Sequence, residues 1–268
     1  MKAGQWVVGA QVRGRGILGV SEVDFRDFNS AEAWFETQSI EMRCAMASLA
    51  ALRVVAEIGR SKASSKGPLA LASLRATLIS AGRGSGRPTD MDWGAAADPA
   101  ANSATRSANS TADSTVFSAV NYCLSAANFT TISANSATNS VNSAANSAAD
   151  FATDFATTLD ASLDHAALIR TPVWGEQDVP DIIAENHRGF LGFLFANDAW
   201  TFWRELYEGM WNGTFDNWDL AFEVIRIEDA EWEKGHVHID EVIEALRDGR
   251  VSPASTEEKR TTELGLKT

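Results

Sequence analysis

The sequence predicts an all-α protein: a helical bundle with a long Ala/Ser/Asn-rich central helix or helical hairpin. Three observations point there. Between Ala100 and Thr171 the chain has neither glycine nor proline, the two residues that cost most inside a helix. From Ser114 to Ala149 it has no charged side chain and keeps a seven-residue beat. Ala134-Asn135-Ser136-Ala137-Thr138-Asn139-Ser140 is followed by Val141-Asn142-Ser143-Ala144-Ala145-Asn146-Ser147, as in a helix that packs along one seam. Elsewhere, apolar residues recur at three- and four-residue steps behind Ser, Asn or Asp, the pattern of capped amphipathic helices.

The elements follow in order. Residues 1–28 carry five glycines before Asp24 and two short β-branched runs, and are expected to be an N-terminal arm, because two short strands alone are marginal in water. Residues 29–81 are expected to be N-terminal helices. Asn29-Ser30 heads a first one, and Ser39 caps a second over about 40–58, ended by Gly59. Met42, Met46, Leu49, Leu52, Val55 and Ile58 share one face of it. Pro68 is expected to open a third helix running to about Ser80. Residues 82–99, rich in Gly, Pro and Asp, read as a linker.

Residues 100–170 form the heptad segment. Val120, Ala127, Ala134, Val141, Ala148 and Phe155 fall at position a; Val116, Cys123, Thr130, Ala137, Ala144 and Phe151 fall at position d. Asn121, Asn128, Asn135 and Asn142 fall at b, on the outer face. Small seam residues let two helix backbones approach and gain dispersion contact. Asn, Ser and Thr each cost several tenths of a kcal/mol relative to Ala in a helix, so the segment needs a partner surface. Low-complexity disorder and a β-solenoid are the competing readings. Recurring Val116, Phe117, Val120, Phe129 and Ile132 argue against the first, and the period of seven against the second.

Residues 171–250 are expected to be an acidic Trp-rich helical subdomain and 251–268 a tail. Six of the nine tryptophans lie there. Helices are expected from Pro180 to about Phe195, over 199–212 capped by Asp198, from Asn217 to about Ile227, and from Ile239 to Arg247, with a turn from Asp229 to Gly235. Gly213 and Gly249 are stops.

Residues 1–149 carry a net charge of about +2 and residues 150–268 about −15, which together make the chain's −13. An acidic half repels phosphate, which argues against nucleic acid. No run of about 18 apolar residues predicts a membrane span, and residues 1–20 make a poor secretory signal, so a cytoplasmic location is expected. Cys44 and Cys123 are expected to be buried reduced thiols.

No residue is assigned a catalytic, cofactor-binding or metal-ligating role, and no cofactor is expected. His236 and His238, near Glu231, Glu233, Asp240 and Glu241, have the residue types of a metal-assisted hydrolytic centre. Their spacing fits a helix N-terminus better, with Asp240 and Glu241 in its first turn. Trp200, Trp203, Tyr207 and Trp211 step by three and four, as a ligand platform or, more often, a core stripe does. Gly82-Arg83-Gly84-Ser85-Gly86-Arg87 lacks the Lys-Ser/Thr ending of a phosphate loop.

Phe202-Trp203-Arg204-Glu205-Leu206-Tyr207-Glu208-Gly209, then Asn217-Trp218-Asp219-Leu220, then Glu231-Trp232-Glu233-Lys234-Gly235 form one spaced pattern. It resembles the end of an uncharacterised group of bacterial all-helical proteins with an Ala-rich middle and a Trp-rich acidic C-terminal part. The resemblance covers about 197–247, implies helices, and brings no activity.

The function expected is structural or interaction: a helical scaffold that self-associates or docks a protein partner. Its seam is Val116, Val120, Cys123, Ala127, Ala134, Ala137, Val141, Ala144, Ala148, Phe151 and Phe155. The alternatives are a binding module using the uncharged Asn/Ser/Thr face toward a glycan or other regular surface, and the hydrolase centred on His236 and His238.

Overall fold

The computed structural model describes residues 37–60, 63–109, 164–175 and 178–249. Those residues are 74% helical with no strand, an all-α fold. The expected N-terminal arm, the helix headed by Asn29-Ser30, the seam residues 116–155 and the tail 251–268 lie outside the described residues.

Ser39 does cap α1 (Ile40–Val55): its hydroxyl accepts from the Met42 N–H at 3.2 Å. A 3-10 turn, Ala56–Arg60, finishes it. Every residue from Cys44 to Ala56 is buried, so beyond its first turn α1 has no solvent face. That suits a run of Ala, Leu, Val, Met and Ser with little amphipathic contrast. α2 (Ala63–Gly84) folds back along α1 and is buried throughout 69–82.

Here the structure departs from expectation. Pro68 stands inside α2, in its second turn, rather than opening it. Lys66 steadies that first stretch by donating to the Gly59 carbonyl at 2.6 Å. At the other end the helix runs past Ser80 to Gly84, where the linker was expected to have begun. Gly84 packs there against α1 so closely that a Cβ would lie 2.6 Å from the Ala45 nitrogen. Tertiary contact outweighs the poor helix propensity of Gly82 and Gly84.

The stretch read as one linker, 82–99, therefore splits. Only about 85–92 is loop; α3 (Trp93–Asn109) follows, with Pro99 inside it. Asp92 starts α3 by accepting from the Gly94 and Ala95 N–H groups at 3.0 and 3.1 Å. At the far end of the stretch expected to be helical to about 168, Asp164 is not helical. Asp164 has extended backbone and caps a new short helix, α4 (His165–Leu168), through the Ala167 N–H at 2.7 Å. A carboxylate that can satisfy its own backbone competes with helix continuation.

α5 (Asp181–Phe195) packs on the 56–60 turn, where Glu57 accepts from Asn186 at 2.6 Å. Asn197, rather than Asp198, caps the next turn: its side chain accepts from Ala199 N–H at 2.9 Å, and Asp198 is already inside the 3-10 turn Asp198–Trp200. α6 (Thr201–Trp211) follows and ends at Gly213, whose φ of +68° strains other residues. α7 (Trp218–Ile225) and α8 (Asp229–Trp232) lead to α9 (His236–Arg247). α9 begins three residues before the expected Ile239, so Asp240 and Glu241 sit beyond its first turn and do not face its free N–H groups.

One hydrophobic cluster runs through all of this. It joins Leu49, Leu52 and Leu74 of the α1–α2 pair to Phe190, Trp203, Tyr207 and Ile243 of the C-terminal helices.

Candidate functional site

The aromatic stripe of α6 is core. Trp200, Trp203 and Tyr207 are at most 1% exposed and Trp211 is buried. Trp203 meets Trp232 edge-on at 5.9 Å, and Phe190 meets Tyr207 the same way at 5.0 Å. His187, whose ring stacks on Trp211 at 4.0 Å, takes the other polar end: its Nδ1 lies 2.9 Å from the Tyr207 hydroxyl. Burial holds the Tyr207 phenol protonated and lowers the His187 pKa, with Arg188 adding to the latter. The hydroxyl and the imidazole Nδ1 share this hydrogen bond, its direction set by the imidazole tautomer. Neither residue was singled out as a pair in the sequence, because twenty positions separate them.

His236 and His238 do not converge. Two positions apart on α9, they take different neighbours. The His236 ring stacks on Trp200 at 4.8 Å, and burial lowers its pKa. His238 Nε2 instead meets the Glu231 carboxylate, which Lys234 also holds at 2.8 Å. Lys234 and His238 together hold Glu231 below the usual carboxylate range. Among the described residues no group of three or more His, Cys, Asp or Glu could hold a metal ion. Cys44 is buried and free, and desolvation pushes its thiol up to about 12, which removes it as a nucleophile at neutral pH.

The seam residues Val116 to Phe155 lie outside the described residues, but the α1–α2 pair shows how this chain brings helices together. Gly84 sits on Ala45, and the Ser80 hydroxyl donates across the pair to the Cys44 carbonyl at 3.0 Å. Ser48 and Thr77 donate to carbonyls of their own helices at 2.8 and 2.9 Å. Ser48, Thr77 and Ser80 thus pack at backbone distance with their hydroxyls satisfied, whereas the buried Ser73 hydroxyl of α2 has no partner among the described residues.

The described residues also form a cleft of about 350 Å³ between the start of α3 and the α7–α8 corner. Arg75 of α2 is set into it, its side chain only 5% exposed; its guanidinium lies 4.3 Å over the Trp232 ring and its Nη2 donates to Asp229 at 2.6 Å. Burial lowers the Arg75 pKa while Asp229 opposes the shift. Arg226 at the rim is held by Asp90 at 2.9 Å and Glu223 at 3.2 Å. Asp92 and Glu228 complete the charged lining, and Met91, Ala95, Ala96, Ile225 and Ile227 form the apolar wall. Sequence reasoning missed this cleft. Arg75 and Asp229 are 154 positions apart, and no local motif joins them.

No family model, no curated protein and no solved structure matches this chain.

Proposed function

We propose that this protein is a helical scaffold that self-associates, or docks a helix of another protein, through the small-residue seam running from Val116 to Phe155. The observation that carries the reading is the α1–α2 pair. There the same residue vocabulary (Ala, Ser, Thr and Gly) brings two helices to backbone contact, with Gly84 on Ala45 and Ser80 bonded to the Cys44 carbonyl. The 116–155 stretch repeats the Ala, Ser and Thr of that vocabulary in heptads, without its glycine, and has Asn on the opposite face. A helix so poor in intrinsic propensity gains its stability from a packed neighbour.

The test is light scattering of the full chain across a wide concentration range, beside the Ala137→Leu/Ala144→Leu variant. The expected result is a mass that rises above one chain and falls back in the variant, since added methylenes in a tight seam cost about 1–3 kcal/mol each. If the mass stays that of one chain, affinity capture with the wild type and the variant addresses the docking form. Equal capture by both overturns the seam as the interacting surface.

A further inference from the structure

The outer face of α5 is apolar at both ends and bare in the middle. Three large apolar side chains are exposed among the described residues, and two of them belong to this helix: Ile182, 47% exposed, and Phe195, 57% exposed. Between them Glu185, Gly189 and Gly192 follow one another at steps of four and three, all exposed. A Cβ at either glycine would meet nothing within 4 Å. Glycine is the poorest helix former after proline. At Gly84 that weakness accompanies a close contact with Ala45; at Gly189 and Gly192 no contact within the described residues accompanies it. Their bare backbone leaves a shallow groove in which a second helix can approach closely.

The charges on this face divide along the helix. Asp181 and Glu185 stand toward its N-terminal end. Arg188 follows, and at the C-terminal end Arg204 of α6 lies 4.5 Å over the Phe195 ring. Asp181, Glu185, Arg188 and Arg204 make no ion pair among the described residues. A face that is acidic at one end, basic at the other and bare between is complementary to itself when turned end for end. The occupant that this pattern fits is a second copy of the chain. We propose that α5 is the contact helix of a two-fold pair. The two α5 helices run antiparallel, the glycines of each cross at the centre, and Glu185 of one copy faces Arg204 of the other. One helix face is small beside the about 800 Å² per partner of a stable interface, so the pair is weak and forms at high concentration. This surface is separate from the 116–155 seam and does not rest on it.

The experiment is sedimentation equilibrium of the full chain from about 10 μM to 1 mM, the range in which a weak pair forms. Wild type is expected to pass from one chain to two. Gly189→Leu/Gly192→Leu is expected to weaken the pair at least tenfold by filling the groove. Its melting temperature at micromolar dilution should be no lower than that of wild type, because leucine is the better helix former in open space. Glu185→Arg and Arg204→Glu should each weaken the pair about tenfold, and an equimolar mixture of the two should restore it, since each then meets its opposite charge on the other. Should the seam also associate, the series is repeated in the Ala137→Leu/Ala144→Leu chain, so that failure of one surface is distinguished from failure of the other. A mass of one chain throughout the range overturns the proposal. So does an unchanged pair in Gly189→Leu/Gly192→Leu, or a mixture of the two charge reversals that stays apart. A lowered melting temperature in the glycine variant overturns it as well, by showing that these positions are packed within one chain.

Discussion

The α1–α2 pair and the α5–α9 region reach close packing by opposite means. In the first, Ala, Ser and Gly let backbones touch, and the tightest point is a glycine against an alanine. In the second, Trp200, Trp203, Tyr207, Trp211 and Trp232 interlock large rings, and their polar atoms find what partners they can: the Trp232 indole N–H donates to the Ile227 carbonyl at 3.0 Å, and Tyr207 meets His187. The difference teaches where each region is vulnerable. A seam of small residues has no volume to lose and no room to gain, whereas an aromatic core loses most when a ring is removed.

The largest expected effect comes from the aromatic side. Trp203→Ala deletes a fully buried ring and should lower unfolding stability by about 3–5 kcal/mol in denaturant titration. A loss below 1 kcal/mol would mean that the aromatic cluster packs less tightly than its contacts imply. The seam is tested next by a pair of glycines. Gly84→Ala should destabilise by about 1–3 kcal/mol, because the new methyl meets Ala45 backbone. Gly189→Ala, in open space on α5, should stabilise by about 0.5–1 kcal/mol through helix propensity. If both glycines respond alike, close approach is not what distinguishes the seam.

The smallest effect is pH dependence in the aromatic region. His187 has its pKa lowered in the folded protein, chiefly by burial. Unfolding therefore takes up a proton below the ordinary histidine value near 6.5. The neutral form's contribution is fully present above that value and is lost as pH falls toward the folded-state pKa. Melting should thus drop between pH 7.5 and 5.5, and His187→Gln should flatten that slope. An equal slope in the variant would assign the pH response to other groups, His236 first among them.

Local chemistry made parts of this fold legible. Ser39 can satisfy a first-turn N–H wherever the chain goes, so the start of α1 was readable to the residue. The steps of three and four from Trp200 to Trp211 placed those rings on one buried face. Gly213 and Gly249, at positive φ, ended α6 and α9 where expected. The errors came where packing outvoted propensity: α2 runs through Pro68 and Gly82 to Gly84, and α3 takes up 93–99 of the 82–99 stretch that breakers had marked as linker. At 197–198 the competition was between two adequate caps, Asn197 and Asp198, that composition could not rank.

Helix class, periodicity and most caps are matters of neighbours along the chain, and such interactions span only a few residues, so the amino-acid order alone settles them. The Arg75–Asp229 pair over Trp232, the cleft around it, the Tyr207–His187 bond and the approach of Gly84 to Ala45 join positions tens to more than a hundred residues apart. Those contacts exist only once burial of the shared core has chosen which faces meet, and it is there that the chemistry of this protein is set.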